Sequence, residues 1–241
     1  CDPARVFVDW LGDPPPAARR CVERWRGLPV PEGYESKVDA VLAGRPTFAG
    51  GGGLAERHPG LDPFGQSMYV SPSPEQLASA HNARAGGAVA ERPTIMFDIP
   101  SVSDPTMAPG TGRHVLSLEV LFTPYSLVGG WEGSAEPGRW LELWSSMMEP
   151  GALDLVESWR VMTPERYENE FVMHRGYTPS YGASPLAAFI GRPRETTRYR
   201  TPIKGLYLSG AGTFPGAGVI GVAGRNAADV VHRDVRGSSL V

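Results

Sequence analysis

Apolar and polar positions alternate most cleanly over His114–Phe122, where Leu116, Leu118, Val120 and Phe122 share one face and Val115, Ser117, Glu119 and Leu121 the other. This period of two predicts a half-buried strand, antiparallel in a sheet with one wet face. Lys37–Leu42 and Ile95–Ile99 are shorter candidate strands; Pro100 ends the second, and a polar loop fills 101–113. Trp140, Leu143, Trp144, Met147 and Met148 instead follow helical spacing, which marks core. After the break at Pro150-Gly151, Leu153, Val156 and Trp159 resume a second apolar face at the same spacing.

Local chemistry sets several helix ends. Ser73-Pro74-Glu75-Gln76 offers a cap, a proline for the first helical position and a capping box. That helix is expected to run to about Ala85 and stop at Gly86-Gly87. Residues 15–27 predict a short basic helix entered through prolines and closed by Gly27, and Thr163-Pro164-Glu165 starts another. Gly50–Gly53 reads as a connector, since no Lys-Ser/Thr follows to make a phosphate loop.

Composition narrows the class. Of 241 residues, 41% are apolar, while Gly (30) and Pro (24) are spread among periodic segments, so the chain is globular and loop-rich. A net charge of −3 without a basic run argues against nucleic acid. Two cysteines, Cys1 and Cys21, exclude a disulfide framework or a multi-cysteine metal site, and no metal site is assigned. No stretch has the length of a membrane span and no signal peptide is visible, so a cytoplasmic protein is expected. The chain opens on Cys1, not Met, which suggests a fragment or processed product.

The densest chemistry lies at 205–231. Leu206–Leu208 reads as an interior parallel strand, followed by a glycine-rich loop and a helix of small residues from about Val219 to Val231. Gly216-Ala217-Gly218-Val219-Ile220-Gly221 spells G-x-G-x-x-G, yet it is no Rossmann start. Leu208 lies eight residues before Gly216, and the second strand with its acidic residue has no room downstream. Such a unit can close a ligand site instead: its glycines admit close approach, and a helix N-terminus favours negative charge. The small residues Gly221, Ala223, Gly224, Ala227 and Ala228 imply that something packs tightly against this helix.

The run Gly205-Leu-Tyr-Leu-Ser-Gly-Ala-Gly-Thr-Phe-Pro-Gly-Ala-Gly-Val-Ile-Gly-Val222 resembles the C-terminal FAD-binding signature of phytoene-desaturase-like flavoproteins, in the branch of pyridine nucleotide-disulfide oxidoreductase domain-containing protein 2. The lead-in Tyr199-Arg200-Thr201-Pro202 and weaker upstream echoes extend the resemblance over about 37–231. It implies an α+β or α/β fold: a mixed-sheet substrate domain with helices, plus the C-terminal strand-loop-helix of a Rossmann-like FAD-binding domain. The implied division is a helical lead-in (1–36), a substrate-binding domain (37–198) and the closing segment of the FAD domain (199–241). It places Gly210, Ala211 and Gly212 near the diphosphate and ribityl region of FAD, and Gly218, Val219, Ile220 and Gly221 along the isoalloxazine edge. The implied activity is hydride removal from an apolar small-molecule substrate, by a fragment inactive alone.

Two departures stand out: Ala211 replaces the acidic residue common in related flavoproteins, and Phe214 replaces the His of the usual Thr-His-Pro-Gly. The strand His114–Phe122 and the Trp/Met helices would wall the substrate. His174, Arg175, Tyr177 and Tyr181 are candidates to face it, with His174 or a tyrosine as proton carrier. The catalytic side chains stay unassigned. Asp98 and Asp104 read as turn formers. A flavin-free scaffold that kept the fold, or a transferase binding an anion at 210–221, remains an alternative. So does a peripheral-membrane or homo-oligomer contact.

Overall fold

The computed structural model describes residues 2–65, 67–70, 73–179, 185–218 and 220–238. Val219 and Tyr181 lie outside them. The chain separates into two compact units, Glu32–Arg166 and the combination of 1–31 with 167–241. Helix α1 is Arg19–Arg26. The central unit holds α2 (Gly52–Arg57), α3 (Pro74–Ala85), α4 (Pro100–Ser103) and α5 (Glu136–Ser145), and α6 (Pro164–Phe171) spans the boundary. Then come α7 (Pro185–Phe189), α8 (Arg194–Thr197) and α9 (Val222–Ser238).

The central unit is built on five strands: β1 (Glu35–Leu42), β2 (Met68–Val70), β3 (Ile95–Asp98), β4 (His114–Leu121) and β5 (Val156–Met162), ordered β2-β3-β4-β1-β5. Among the described residues every strand pairing is antiparallel, which corrects the expected mixed sheet. The class is α+β. Leu116, Leu118 and Val120 are fully buried, as the alternation predicts. Phe122 ends the pattern, because its backbone turns to φ +62 just past β4.

Register aligns Phe97, Leu118, Val38 and Val161 in one apolar row across four strands. Helix α5 covers that face. Its Trp140, Leu141 and Trp144 are buried at i, i+3/i+4 spacing, and Trp131 meets Trp140 edge-on at 6.0 Å. The opposite face is charged: Asp39 pairs with Lys37 (2.8 Å) and Arg160 (3.2 Å). Burial raises the carboxyl pKa of Glu119 on that face, against the pull of Lys37.

Predicted caps form. Ser73 Oγ accepts from the Gln76 amide and the Gln76 side chain accepts from the Ser73 amide, so α3 starts at Pro74. Thr163 Oγ1 accepts from the Arg166 amide at the start of α6. The turn at Asp104 also forms, with Oδ1 accepting from the amide and hydroxyl of Thr106. Gly52 and Gly53 begin α2 instead of continuing a connector. The expected helical face at Leu153, Val156 and Trp159 is a one-turn 3-10 helix, Leu153–Leu155, running into strand β5. There β1 offers a free edge, and main-chain pairing with it overrides the three-residue spacing.

In the other unit, the N-terminal segment forms a π-helical turn, Arg5–Trp10, then α1. Phe7 stacks on Trp25 at 5.8 Å, and Val6, Phe7, Cys21 and Val22 bury Leu208. Burial pushes the Cys21 thiol up to about 11.

Candidate functional site

Leu206–Leu208 is not an interior parallel strand. Among the described residues, Tyr207 pairs only through an isolated antiparallel bridge to Arg200. The segment 199–208 is a tight local hairpin, closed by Leu208 N–H to Tyr199 O (2.9 Å) and Thr201 Oγ1 to Leu206 O (2.8 Å). A three-residue apolar run carries no signal that distinguishes these cases.

The glycine loop leaves this hairpin and is held from both sides. Thr213, fully buried, donates through its amide (3.0 Å) and hydroxyl (2.9 Å) to Gly210 O. The Phe214 amide donates to Thr196 O (2.8 Å). The Tyr199 hydroxyl donates to Phe214 O (2.7 Å) and accepts from Asn226 Nδ2 on α9 (2.9 Å). Tyr199, Tyr207, Ala227 and Val230 pack together and fix α9 on the hairpin. Asp234 of α9 accepts from Arg200 Nε (2.8 Å) and Nη2 (2.7 Å) and from the Tyr207 hydroxyl (2.9 Å). The Arg200 guanidinium holds the Asp234 carboxyl down at about 2.

Helix α9 begins at Val222 and reaches Ser238, later at both ends than the expected 219–231. Gly221 precedes it at φ +69, and its carbonyl accepts the first helical bond, from Arg225. A non-glycine residue would be strained there although the space is open: chain neighbours aside, no atom of the described residues lies within 4 Å of where its Cβ would stand. The small-residue face is therefore not covered as expected. Ala223 and Ala227 are buried, but Gly221, Gly224 and Ala228 face outward. The buried stripe is Ala223, Ala227 and Val230, and it serves the hairpin.

The remaining predicted positions flank one loop. Gly210 is half-buried and Gly212 buried, while Ala211, Gly218 and Ile220 are exposed. Among the described residues, no main-chain acceptor engages the amides of Ala211 or Gly212. The loop thus combines two amides that no main-chain acceptor engages among the described residues, an open glycine shoulder and the N-terminal end of a 17-residue helix. It can receive a flat, electron-rich or anionic group.

Over 212 residues the chain is 39% identical to pyridine nucleotide-disulfide oxidoreductase domain-containing protein 2 of Mus musculus, covering 83% of this chain and 35% of that protein. It is 30% identical over 141 residues to phytoene desaturase (neurosporene-forming) of Rhodobacter capsulatus, covering 57% of this chain and 26% of that protein. This chain is a relative of the phytoene-desaturase-like oxidoreductases. It also shares 30% identity over 143 residues with chloroplastic prolycopene isomerase of Arabidopsis thaliana, covering 54% of this chain and 22% of that protein. The chain spans about a third or less of the length of these relatives. No family model matches it.

Two other candidates within this phytoene-desaturase-like chain, His174 and Arg175, make local contacts. The Arg175 amide donates to Glu168 and its Nε to Pro31 O (2.9 Å), and the His174 amide donates to Asp2 (3.1 Å). His174 Nδ1 is buried without a hydrogen-bond partner among the described residues. Leu116, Leu118, Val120, Trp140 and Trp144 fill the core of the central unit. Sequence reasoning missed the frame of the loop: Tyr199, Thr213, Asn226, and the Arg200–Asp234–Tyr207 group. The only hint was the Tyr-Arg-Thr-Pro lead-in, which carries no spacing signal for a partner 34 residues on.

Proposed function

We propose that this chain is part of an FAD-dependent oxidoreductase of desaturase or dehydrogenase type, contributing its substrate-binding domain (37–198) and the closing segment of its FAD-binding domain (199–241). The observation that carries this reading is the open, donor-rich glycine loop at the start of α9, in a chain 39% identical to an oxidoreductase-domain protein. Gly210, Ala211 and Gly212 would hold the diphosphate–ribityl side of FAD, and Gly218, Val219, Ile220 and Gly221 its ring edge. The amides of Ala211 and Gly212 and the bare shoulder at Gly221 fit such a group. Ala211 supplies no carboxylate for ribityl hydroxyls, so main-chain donors carry that side. When bound, the oxidised flavin accepts hydride from a substrate C–H bond. The start of α9 would favour negative charge at the edge of a ring held there.

An apolar substrate belongs to the same proposal. It is supported by the phytoene and prolycopene in the relatives' names and by exposed Phe214 and Ile220 beside the loop. Among the described residues, no helix is long and apolar enough to cross a membrane. A cytoplasmic location completes the reading.

The similarity to prolycopene isomerase favours a second reading, isomerisation without net loss of hydrogen. Mass spectrometry of products formed by the full-length gene product from an apolar polyene separates the two. Loss of a hydrogen pair supports the oxidoreductase, and an isomer of unchanged mass supports the second reading. A flavin-free protein without turnover contradicts both.

A further inference from the structure

Beside α8 and the hairpin at 199–208 lies an open bowl of about 440 Å3, lined by Arg194, Glu195, Arg198, Arg200, Thr201 and Pro202. The segment 192–204 carries five basic residues and one acidic one, in a chain of net charge −3. Its single carboxylate is already engaged: Glu195 is buried and accepts from the Arg24 guanidinium and from Trp25 Nε1 (2.9 Å). Thr201 turns its hydroxyl to Leu206 O. The arginines remain as donors to the bowl.

One of those arginines is fixed by the fold, and a second rests on a bare glycine. Arg200 is locked through Nε and Nη2 by Asp234, which itself receives the Tyr207 hydroxyl, and among the described residues nothing engages its Nη1. Arg198 lies against Gly191, where a Cβ would stand 2.7 Å from Arg198 Nε; the φ of +68 there also favours glycine. Among the described residues, neither Arg194 nor Arg198 has an acidic partner. Planar guanidinium forks match the oxygens of a phosphate, and Arg200, held by Asp234 ahead of binding, loses little freedom on engaging it.

We propose that this bowl is a phosphate-binding site, taking a phosphate group either free or as the end of a larger ester. The site shares Arg200 with the frame of the glycine loop but uses none of the residues proposed to meet FAD, so it goes beyond the flavin reading and does not depend on it.

The test is calorimetric titration of inorganic phosphate and pyrophosphate into the full-length gene product at low salt. The expected result is saturable binding that the double variant Arg194→Gln/Arg198→Gln weakens by more than roughly tenfold. Arg236→Gln, a change on α9 outside the bowl, leaves it intact. If the double variant fails to fold by circular dichroism, Arg198→Lys decides: it keeps the charge but loses the fork, and weaker binding is expected. Binding independent of these arginines, or no saturable binding, overturns the proposal. A parallel arm uses vesicles of anionic phospholipid. Release of bound protein by soluble phosphate supports the site and identifies a lipid headgroup as its source. Vesicle binding that soluble phosphate cannot compete with overturns it in favour of diffuse surface charge.

Discussion

Tyr199→Phe removes one oxygen and tests the frame that holds the glycine loop. The hydroxyl sits on a residue only 5% exposed, donates to Phe214 O at 2.7 Å and accepts from Asn226 Nδ2 at 2.9 Å. Each bond contributes about 1 kcal/mol net, and stranding a half-buried amide adds a desolvation cost, so the expected loss is about 2 kcal/mol. That equals a roughly 30-fold change in an opening equilibrium. Hydrogen exchange followed by mass spectrometry reads it locally. Peptides covering Leu208, Phe214 and the first turns of α9 should exchange roughly 30-fold faster in the opening-limited regime, with β1 peptides as internal reference. Exchange within about threefold of wild type there would show that the hydroxyl does not brace the loop.

Three further outcomes follow from the same geometry. Trp140→Ala empties a fully buried indole site under the sheet, and a loss of about 3–5 kcal/mol is expected by denaturant melting of the central unit. Ser73→Ala removes half of the capping box and should cost about 1 kcal/mol, read as reduced protection in the first turn of α3. Asp234 has its carboxyl lowered from 3.8 to about 2, chiefly by Arg200. Its contribution is therefore complete above the unfolded value and fades as pH falls from about 4 through about 2. Asp234→Asn should flatten that part of the acid-unfolding curve, and an unchanged acid limb would remove Asp234 from the account.

How far the sequence revealed the fold depended on how much pattern each element had room to show. The nine positions from His114 alternate over enough length to fix strand, face and wet side, and Ser73 with Gln76 carries its own boundary chemistry. Trp140 and Trp144 announced a buried helix face and are core. Shorter or non-local features did not show. Leu153, Val156 and Trp159 share a spacing that helix and strand both tolerate, and the open edge of β1 decided for strand. Leu206–Leu208 is too short to declare a partner, and its burial comes from Val6, Phe7 and Val22 at the far end of the chain. The glycine loop was legible as a place of close approach. Tyr199 and Asn226, which brace it, lie 27 residues apart without periodic relation.

The central claim is that the loop ending at Gly221 meets a flavin. Visible absorption of the full-length gene product, purified beside its Gly221→Val variant, tests it most directly. A side chain there brings strain at φ +69 and occupies the open shoulder. The account predicts flavin bands that travel with the wild-type protein through gel filtration and are depleted in a folded variant. A colourless wild-type protein, or a folded variant that retains its full flavin complement, would contradict it.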